Sequence, residues 1–126
     1  MEKVRQGDVY WVDFGEPEGS EPGFIRPCVV VQNDVFNSSR INTVVVCAIT
    51  SNLKLERSPG NVLLKKGEAK LPKDSVVNIT QLVTVDKDFL VEKIGTLPTV
   101  KIRRVLDGIS LLLRPTQPFT ARRPTD

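Results

Sequence analysis

The sequence contains no histidine, and this absence excludes the most familiar kinds of active site. Ser-His-Asp and Cys-His catalysis, metal ligation by imidazole and general-base chemistry by imidazole near neutral pH are all ruled out. No apolar run approaches the ~20 residues of a membrane span, and the Met-Glu-Lys start lacks the apolar stretch of a signal peptide. We therefore expect a cytoplasmic protein that does not associate with membranes, and any catalysis must use other groups.

Cysteine is also scarce, with Cys28 and Cys47 as the only two. Each lies within a run of apolar residues, where a thiol behaves as a small hydrophobic group with a raised pKa. Two cysteines do not supply the four ligands of a structural zinc site. We predict that both are reduced core residues, with a disulfide or a reactive thiol as the less favoured alternative.

The overall composition is that of an ordinary folded protein. The chain has 126 residues, of which 40% are hydrophobic and 26% charged, so it is long enough for one domain and too apolar for a disordered chain. Its net charge of +3 permits an anionic partner without requiring one. Lysines and arginines cluster after residue 64 and again after residue 102, a pattern that is also typical of solvated surfaces.

Short apolar segments separated by turn residues predict a small all-β barrel. The predicted strands are residues 9–14, 28–31, 43–49, 61–64, 75–79 and 89–94. Segments 28–31 and 43–49 are continuous β-branched runs without alternation, which is typical of strands buried on both faces. We therefore expect these two strands at the centre of the sheet.

One segment, residues 98–113, has helical spacing instead. Its apolar residues are Ile102, Val105, Leu106, Ile109 and Leu113, with Lys101, Arg104 and Gly108 on another face. Pro98 suits the first turn and Thr96 is the expected cap. Three prolines follow residue 114, so we predict a folded domain over residues 1–114 and a flexible proline-rich tail over 115–126.

Several short motifs, in order, resemble the MazF/PemK toxins of bacterial toxin–antitoxin pairs. They are residues 5–13 (RQGDVYWVD), 19–27 (GSEPGFIRP), 29–34 (VVVQND), 48–50 (AIT), 74–76 (DSV), Gln81 and 84–87 (TVDK). The resemblance covers residues 4–113. It implies an SH3-like β-barrel with a C-terminal α-helix, a homodimer, and inhibition by a cognate antitoxin protein with an acidic segment.

The resemblance also implies an activity, that of a sequence-specific endoribonuclease. Such an enzyme uses no metal or other cofactor and cuts single-stranded RNA. The ribose 2′-hydroxyl attacks the adjacent phosphorus and leaves a 2′,3′-cyclic phosphate and a 5′-hydroxyl end. A nuclease without histidine or metal must stabilise phosphate charge with guanidinium and hydroxyl groups, and arginine suits this task because its planar fork stays charged at any working pH.

Two residues match the family's catalytic positions. Arg26 occupies the arginine of the Gly-x-x-Arg-Pro element, and Pro27 favours an extended backbone there, at the start of a buried strand. Thr50 ends the Ala-Ile-Thr element, where its hydroxyl would donate to the scissile phosphate. The group that accepts the 2′-hydroxyl proton is left open between Glu21 and water.

The remaining candidates are expected to contact substrate rather than to perform the chemistry. They are Ser20, Glu21, Phe24, Lys54, Thr80 and Gln81, with Phe36 as a further stacking candidate for which a core position is favoured. Thr80 stands where relatives commonly carry an acidic residue before the glutamine. A carboxylate accepts from base amino groups more selectively than a hydroxyl, so we expect a different cleaved sequence.

Two other functions remain as alternatives. One is a non-enzymatic inhibitor of DNA gyrase, since such toxins share the barrel. These relatives depend on aromatic residues and the C-terminal helix, whereas this chain has Trp11 as its only tryptophan and a proline-rich end. The other is a catalytically silent binding module, which the presence of both Arg26 and Thr50 disfavours.

Overall fold

Six strands and a C-terminal helix make up most of the described chain. The computed structural model describes residues 3–16, 19 and 24–117. The strands are β1 (Asp8–Asp13), β2 (Ile25–Val30), β3 (Thr43–Thr50), β4 (Val62–Leu64), β5 (Ser75–Asp86) and β6 (Leu90–Thr96). The helices are α1 (Asp34–Asn37) and α2 (Thr99–Leu113), with short 3₁₀ helices at Leu53–Arg57, Glu68–Lys70 and Lys87–Phe89. All six predicted strands and the predicted helix are present.

The strands form one antiparallel sheet in the order β4-β5-β3-β2-β1-β6. The two strands predicted to be central, β2 and β3, do lie in the middle. Successive side chains of a strand point to opposite faces, so their continuous apolar runs pack on both sides of the sheet. Cys47 and Val29 belong to one buried cluster, and Cys28 and Val30 belong to the other.

Helix α2 covers the first of these clusters. Val105 is fully buried, and Ile102, Leu106 and Ile109 pack beside it, as the helical spacing predicted. Leu113 instead leaves 69% of its surface exposed. The prediction that Gly108 lies on the same face as Lys101 and Arg104 is wrong, because Gly108 is buried.

The backbone explains why residue 108 is a glycine. A Cβ there would overlap the carbonyl oxygen of Gly60 and approach Cγ1 of Ile79 to 3.0 Å. Gly60 itself has a φ of +81°, a conformation that disfavours other residues. The helix therefore meets the turn before β4 through direct contact between two glycine backbones.

The start of α2 also differs from the prediction. Pro98 is the N-cap rather than a first-turn residue, and no side chain caps the helix. Thr96, the predicted cap, instead donates its hydroxyl to Oδ1 of Asp8 at 3.0 Å. Asp8 is buried, and its Oδ1 also forms an ion pair with Nζ of Lys93 at 3.4 Å. The hydroxyl is thus used to satisfy a buried carboxylate in β1.

The sheet curls so that its two edges approach each other. The 3₁₀ helix Glu68–Lys70, which follows edge strand β4, packs against the other edge strand, β6. A Cβ on Gly95 of β6 would overlap the backbone of Ala69, so glycine is required at this approach. The predicted mainly β barrel class with a C-terminal helix is confirmed, and the barrel takes the form of a curled sheet.

Two further regions differ from the prediction or fall outside the described residues. Strand β5 is longer than the predicted 75–79, because pairing with β3 carries it through polar residues to Asp86. Most of the predicted tail, residues 118–126, lies outside the described residues. Among the described helices, none has the length and apolar character needed to cross a membrane.

Candidate active site

A cleft lies where β2 begins and β3 ends, and it brings both predicted catalytic residues together. Its volume is about 350 Å³. The lining residues are Trp11, Phe24, Ile25, Arg26, Pro27, Ile49, Thr50, Ser51, Leu71, Pro72, Lys73 and Ser75. These residues come from β1, from β2 and β3 with one flanking residue each, from the start of β5 and from the loop before it. The cleft is therefore formed only in the folded sheet.

Arg26 is the second residue of β2 and pairs with Val12 of β1. Its residue surface is exposed, whereas Cys28, two positions along the same strand, is completely buried. A charged side chain at an exposed strand end keeps its solvation, while the pairing with β1 fixes its backbone. The strand therefore presents the guanidinium group to the cleft from a rigid base.

Thr50 is the last residue of β3 and is half-buried. Its Oγ1 accepts a hydrogen bond from the backbone N–H of Asn52 at 3.1 Å. A hydroxyl has one proton to donate and two lone pairs that accept. The bond from Asn52 therefore holds the oxygen in place and leaves the proton available for an anionic group in the cleft.

Phe24 stands beside Arg26 in an unusual backbone conformation. Its φ is +58°, in the left-handed region that non-glycine residues seldom occupy. The N–H of Phe14 donates to the carbonyl of Phe24 at 2.8 Å, and the N–H of Phe24 donates to the carbonyl of Gly15. These bonds hold the backbone of Phe24, and 64% of the residue's surface stays exposed. A hydrophobic ring held at the entrance of a cleft is suited to stacking on a base.

The structure adds two residues that the sequence did not indicate as site residues. Trp11 faces Pro27 across the β1–β2 ladder and lines the cleft. Lys73 reaches the same cleft from the loop before β5. A lone tryptophan within a polar-flanked strand was the available signal for Trp11. Lys73 belongs to the lysine cluster after residue 64, but the sequence did not indicate that the curl of the sheet brings its loop to the cleft.

The charge of the cleft is positive. Arg26 and Lys73 are its charged lining residues, and no acidic side chain is among the lining residues that the structure describes. Over residues 3–16, 19 and 24–117, no three acidic, cysteine or histidine side chains cluster in a way that would hold a metal ion. The cleft can bind an anion through a guanidinium, an ammonium and a hydroxyl group.

Three predicted substrate residues do not line the cleft. Lys54 is exposed on the 3₁₀ helix Leu53–Arg57. Thr80 and Gln81 lie where β5 leaves its ladder with β3: Cys47 pairs with Leu82 and Ile49 pairs with Val77. Residues 78–81, hereafter the β5 offset, therefore lie opposite Ala48 alone. The offset occurs two residues before Thr50 along β3.

The other predicted substrate residues have different outcomes. Ser20 and Glu21 lie outside the described residues. Phe36, for which a core position was favoured, is 51% exposed on α1, so that interpretation is wrong.

The two thiols take no part in the cleft lining. Both cysteines are buried and free, as predicted. Burial raises the pKa of Cys28 well above its usual range, the neighbouring Cys47 adds to this, and the charge of Arg26 opposes it without prevailing. Burial also raises the pKa of Cys47 to about 12. Neither thiol is a nucleophile near neutral pH, because the thiolate is the reactive form.

Comparison with known proteins assigns the chain to a family. The family model described as PemK-like, MazF-like toxin of type II toxin–antitoxin systems matches residues 5–113. Endoribonuclease MazF2 of Mycobacterium bovis is 41% identical over 110 residues, which cover 87% of this chain and 96% of the relative. Endoribonuclease MazF of Staphylococcus saprophyticus is also 41% identical over 110 residues, covering 87% and 91%.

Solved structures show the same fold at lower identity. MazF from Deinococcus radiodurans superposes with a TM-score of 0.74 at 23% identity, covering 90% of this chain and 98% of the other. A mycobacterial endoribonuclease in complex with its cognate antitoxin gives a TM-score of 0.73 at 21% identity, covering 91% and 99%. The family model matches most of the chain, and the curled sheet has the fold of these solved structures, so the chain belongs to the PemK-like, MazF-like toxin family of type II toxin–antitoxin systems.

Proposed function

We propose that this toxin is an endoribonuclease that cuts single-stranded RNA in the cleft at the ends of β2 and β3. The observation that carries the proposal is the meeting of Arg26 and Thr50 in one cleft without an acidic lining residue among those described. The 41%-identical relatives named endoribonucleases support the reaction class. A positive cleft between aromatic side chains suits an unpaired, negatively charged strand.

The proposed reaction uses a nucleophile that RNA itself carries. The 2′-hydroxyl oxygen bonds to the adjacent phosphorus, its proton passes to Glu21 or water, and the bond from phosphorus to the 5′-oxygen breaks. The leaving oxygen takes up a proton from water, so the products are a 2′,3′-cyclic phosphate and a 5′-hydroxyl end. Arg26 stabilises the charge that grows on the phosphate oxygens, and the hydroxyl of Thr50 donates a hydrogen bond to the same group. No metal or other cofactor is needed in this scheme.

The other predicted contacts complete the substrate path. Phe24 and Trp11 offer ring faces for unstacked bases, and Lys73 adds a phosphate contact inside the cleft. Ser20, Glu21, Lys54, Thr80 and Gln81 contact the flanking nucleotides in this proposal. Lys54 does so from the 3₁₀ helix, and Thr80 and Gln81 do so from the β5 offset. Thr80 in place of an acidic residue changes the preferred sequence.

The partners follow from the family and from the charge of the cleft. We propose a homodimer that works in the cytoplasm and is neutralised by a cognate antitoxin. A mycobacterial endoribonuclease of the same fold is in complex with its cognate antitoxin, which supports the choice of partner. An acidic antitoxin segment is complementary to the cleft cations Arg26 and Lys73. The domain boundary near residue 114 and a flexible tail beyond it remain part of this proposal.

The decisive experiment incubates the purified toxin with unstructured RNA in buffer containing EDTA. We expect cuts at a short recurring sequence, with cyclic-phosphate and 5′-hydroxyl ends. The same oligonucleotide with one 2′-deoxy sugar at the cut position should bind and stay intact, because it lacks the nucleophile. Cleavage of that oligonucleotide at the normal rate would contradict the mechanism. Intact RNA together with inhibited gyrase supercoiling would favour the gyrase alternative, and binding of RNA or antitoxin without either activity would favour the silent module.

A further inference from the structure

The side chain of Asn61 ties together three segments that lie outside the cleft. Asn61 immediately precedes β4, and its Oδ1 accepts a hydrogen bond from the backbone N–H of Ile79 at 2.8 Å. Its Nδ2 donates to the carbonyl of Leu55 at 2.9 Å and to Oδ1 of Asn78 at 3.3 Å. One amide group thus connects β4, the β5 offset and the 3₁₀ helix Leu53–Arg57.

The β5 offset needs such a partner because its regular strand neighbour is lost. Between the Ile49–Val77 and Cys47–Leu82 pairs, the ladder with β3 is interrupted. The side chain of Ile79 is buried, and an unpaired backbone N–H at a buried residue costs about 1–3 kcal/mol. Oδ1 of Asn61 takes the place of the missing strand carbonyl. The carbonyl of Asn78 is satisfied in a similar way, by the thiol of Cys47 at 3.1 Å.

The chemistry of these partners makes asparagine hard to replace. A backbone N–H only donates and a backbone carbonyl only accepts, so the amide of Asn61 has one permitted orientation. Aspartate has the same shape and keeps the acceptor for Ile79, but it places an acceptor against the carbonyl of Leu55 and Oδ1 of Asn78. Leucine has a similar size and loses all three hydrogen bonds.

The residues tied by Asn61 adjoin those proposed to contact the flanking nucleotides. Thr80 and Gln81 directly follow Ile79, and the hydroxyl of Thr80 donates to Oδ1 of Asn78 at 3.3 Å. Lys54 directly precedes Leu55. We propose that Asn61 is a positioning residue that sets the RNA sequence preference of this toxin, by fixing the β5 offset and the 3₁₀ helix relative to β4. The inference rests on the proposed ribonuclease function.

Two variants remove different parts of this network. In Asn61→Leu the β5 offset loses both of its hydrogen bonds to Asn61. Discrimination between the best RNA site and a site with one substituted base should then fall about tenfold, the lower end of what one base contact supplies. In Asn61→Asp the hydrogen bond from Ile79 remains, while the bonds of Nδ2 to Leu55 and Asn78 are lost. Discrimination should therefore fall by less than in Asn61→Leu, while KM rises through the displaced Lys54 segment. In both variants kcat at the best site should stay within about threefold, because Arg26 and Thr50 are untouched.

The experiment first maps the best site by sequencing the 5′ ends that the wild-type toxin produces from a pool of random single-stranded RNA. It then measures kcat and KM for that site and for each single-base substitution of it. Asn33→Leu is the matched control, because Asn33 also accepts from a backbone N–H, that of Val35 at 2.8 Å, but at the start of α1. Unchanged discrimination in Asn61→Leu, or an equal loss in Asn33→Leu, would overturn the inference.

The hydrogen bond from the N–H of Ile79 to Asn61 can also be tested by a measurement that does not depend on catalysis. Amide hydrogen exchange at Ile79, followed by NMR, should be at least about tenfold faster in Asn61→Leu than in the wild type and unchanged in Asn33→Leu. Unchanged exchange at Ile79 would also overturn the inference. In a Gln81→Ala background, Asn61→Leu should cause little further loss of discrimination, and a full additional loss would show that Asn61 does not act through the offset. If the wild-type toxin cuts no RNA at all, the proposed function fails first and the inference falls with it.

Discussion

The two halves of strand β2 differ in environment although they belong to one strand. Arg26, near its start, is exposed beside the cleft, while Cys28, two residues later, is completely buried. Burial keeps the thiol protonated, whereas the guanidinium remains charged and accessible. The thiol of Cys28 therefore supports the sheet, and the proposed chemistry lies at the exposed end of the strand. A substitution at the exposed end should change activity alone, and one in the interior should change stability alone.

The largest expected effect is that of Arg26→Ala. Removal of a preorganised group that stabilises the transition state costs about 10²- to 10³-fold in kcat, and the unfolding temperature should stay near that of the wild type because the residue is exposed. Single-turnover cleavage and thermal unfolding measure the two quantities. Cys28→Ala is the control with the opposite profile: it should lower the free energy of unfolding by about 1 kcal/mol and leave kcat unchanged. Full activity in Arg26→Ala would show that Arg26 does not stabilise the transition state.

Thr50 tests whether the end of β3 at the cleft behaves like the start of β2. A hydrogen bond to a charged group contributes about 1.5–3 kcal/mol, so Thr50→Val should slow cleavage about 10- to 100-fold. Thr50→Ser keeps the hydroxyl and should retain most of the activity. Equal rates for the two variants would mean that the hydroxyl does not contact the reacting phosphate.

The sequence predicted these two residues because each stands in a short local motif at a strand end. Trp11 and Lys73 were missed as site residues, because the curl of the sheet that gathers them depends on contacts distant in sequence. The second half of β5 was missed for a related reason: its polar residues 78, 80 and 81 interrupt the apolar pattern, and pairing with β3 overrides it.

In helix α2 the sequence predicted the apolar packing residues but not the buried glycine. Spacing correctly identified its packing residues, including Val105, because apolar side chains reveal the buried face of a helix. Glycine has no side chain to contribute to that pattern. The buried position of Gly108 depends on the backbone of Gly60, which is distant in sequence, so the periodicity gave no sign of it.

Gly108→Ala tests whether a substitution in the packed interior lowers stability without changing activity. Its Cβ would overlap the backbone of Gly60, so helix and sheet must separate slightly, at a cost of about 1–3 kcal/mol. Urea unfolding should show this loss, and kcat of the folded fraction should not change. Ser110→Ala, on the exposed side of α2, is the matched control and should shift stability by less than about 0.5 kcal/mol. If Gly108→Ala were as stable as the wild type but had a reduced kcat, packing in the interior would affect catalysis in the cleft. This result would contradict the expectation that interior substitutions change stability alone.

The smallest expected effect concerns the far end of β2, where the chain enters α1. Asp34 accepts hydrogen bonds from the backbone N–H of Gln6 at 2.7 Å and from Nδ2 of Asn37 at 3.0 Å, and these bonds lower the pKa of its carboxyl group. Because the pKa is lower in the folded state, Asp34 adds stability above its unfolded pKa of about 3.9, and this stability is lost as the pH falls through the folded-state pKa.

Asp34→Asn should therefore weaken the dependence of unfolding free energy on pH below about 4. Urea unfolding of the wild type and the variant at pH 7 and at low pH measures this difference, with Asp107→Asn on the exposed surface of α2 as the control. Cleavage near neutral pH should be unaffected, since Asp34 is not among the residues that line the cleft. An identical pH dependence in Asp34→Asn and the wild type would show that the hydrogen bonds of Asp34 do not stabilise the fold. A change in cleavage would show instead that the two ends of β2 are coupled.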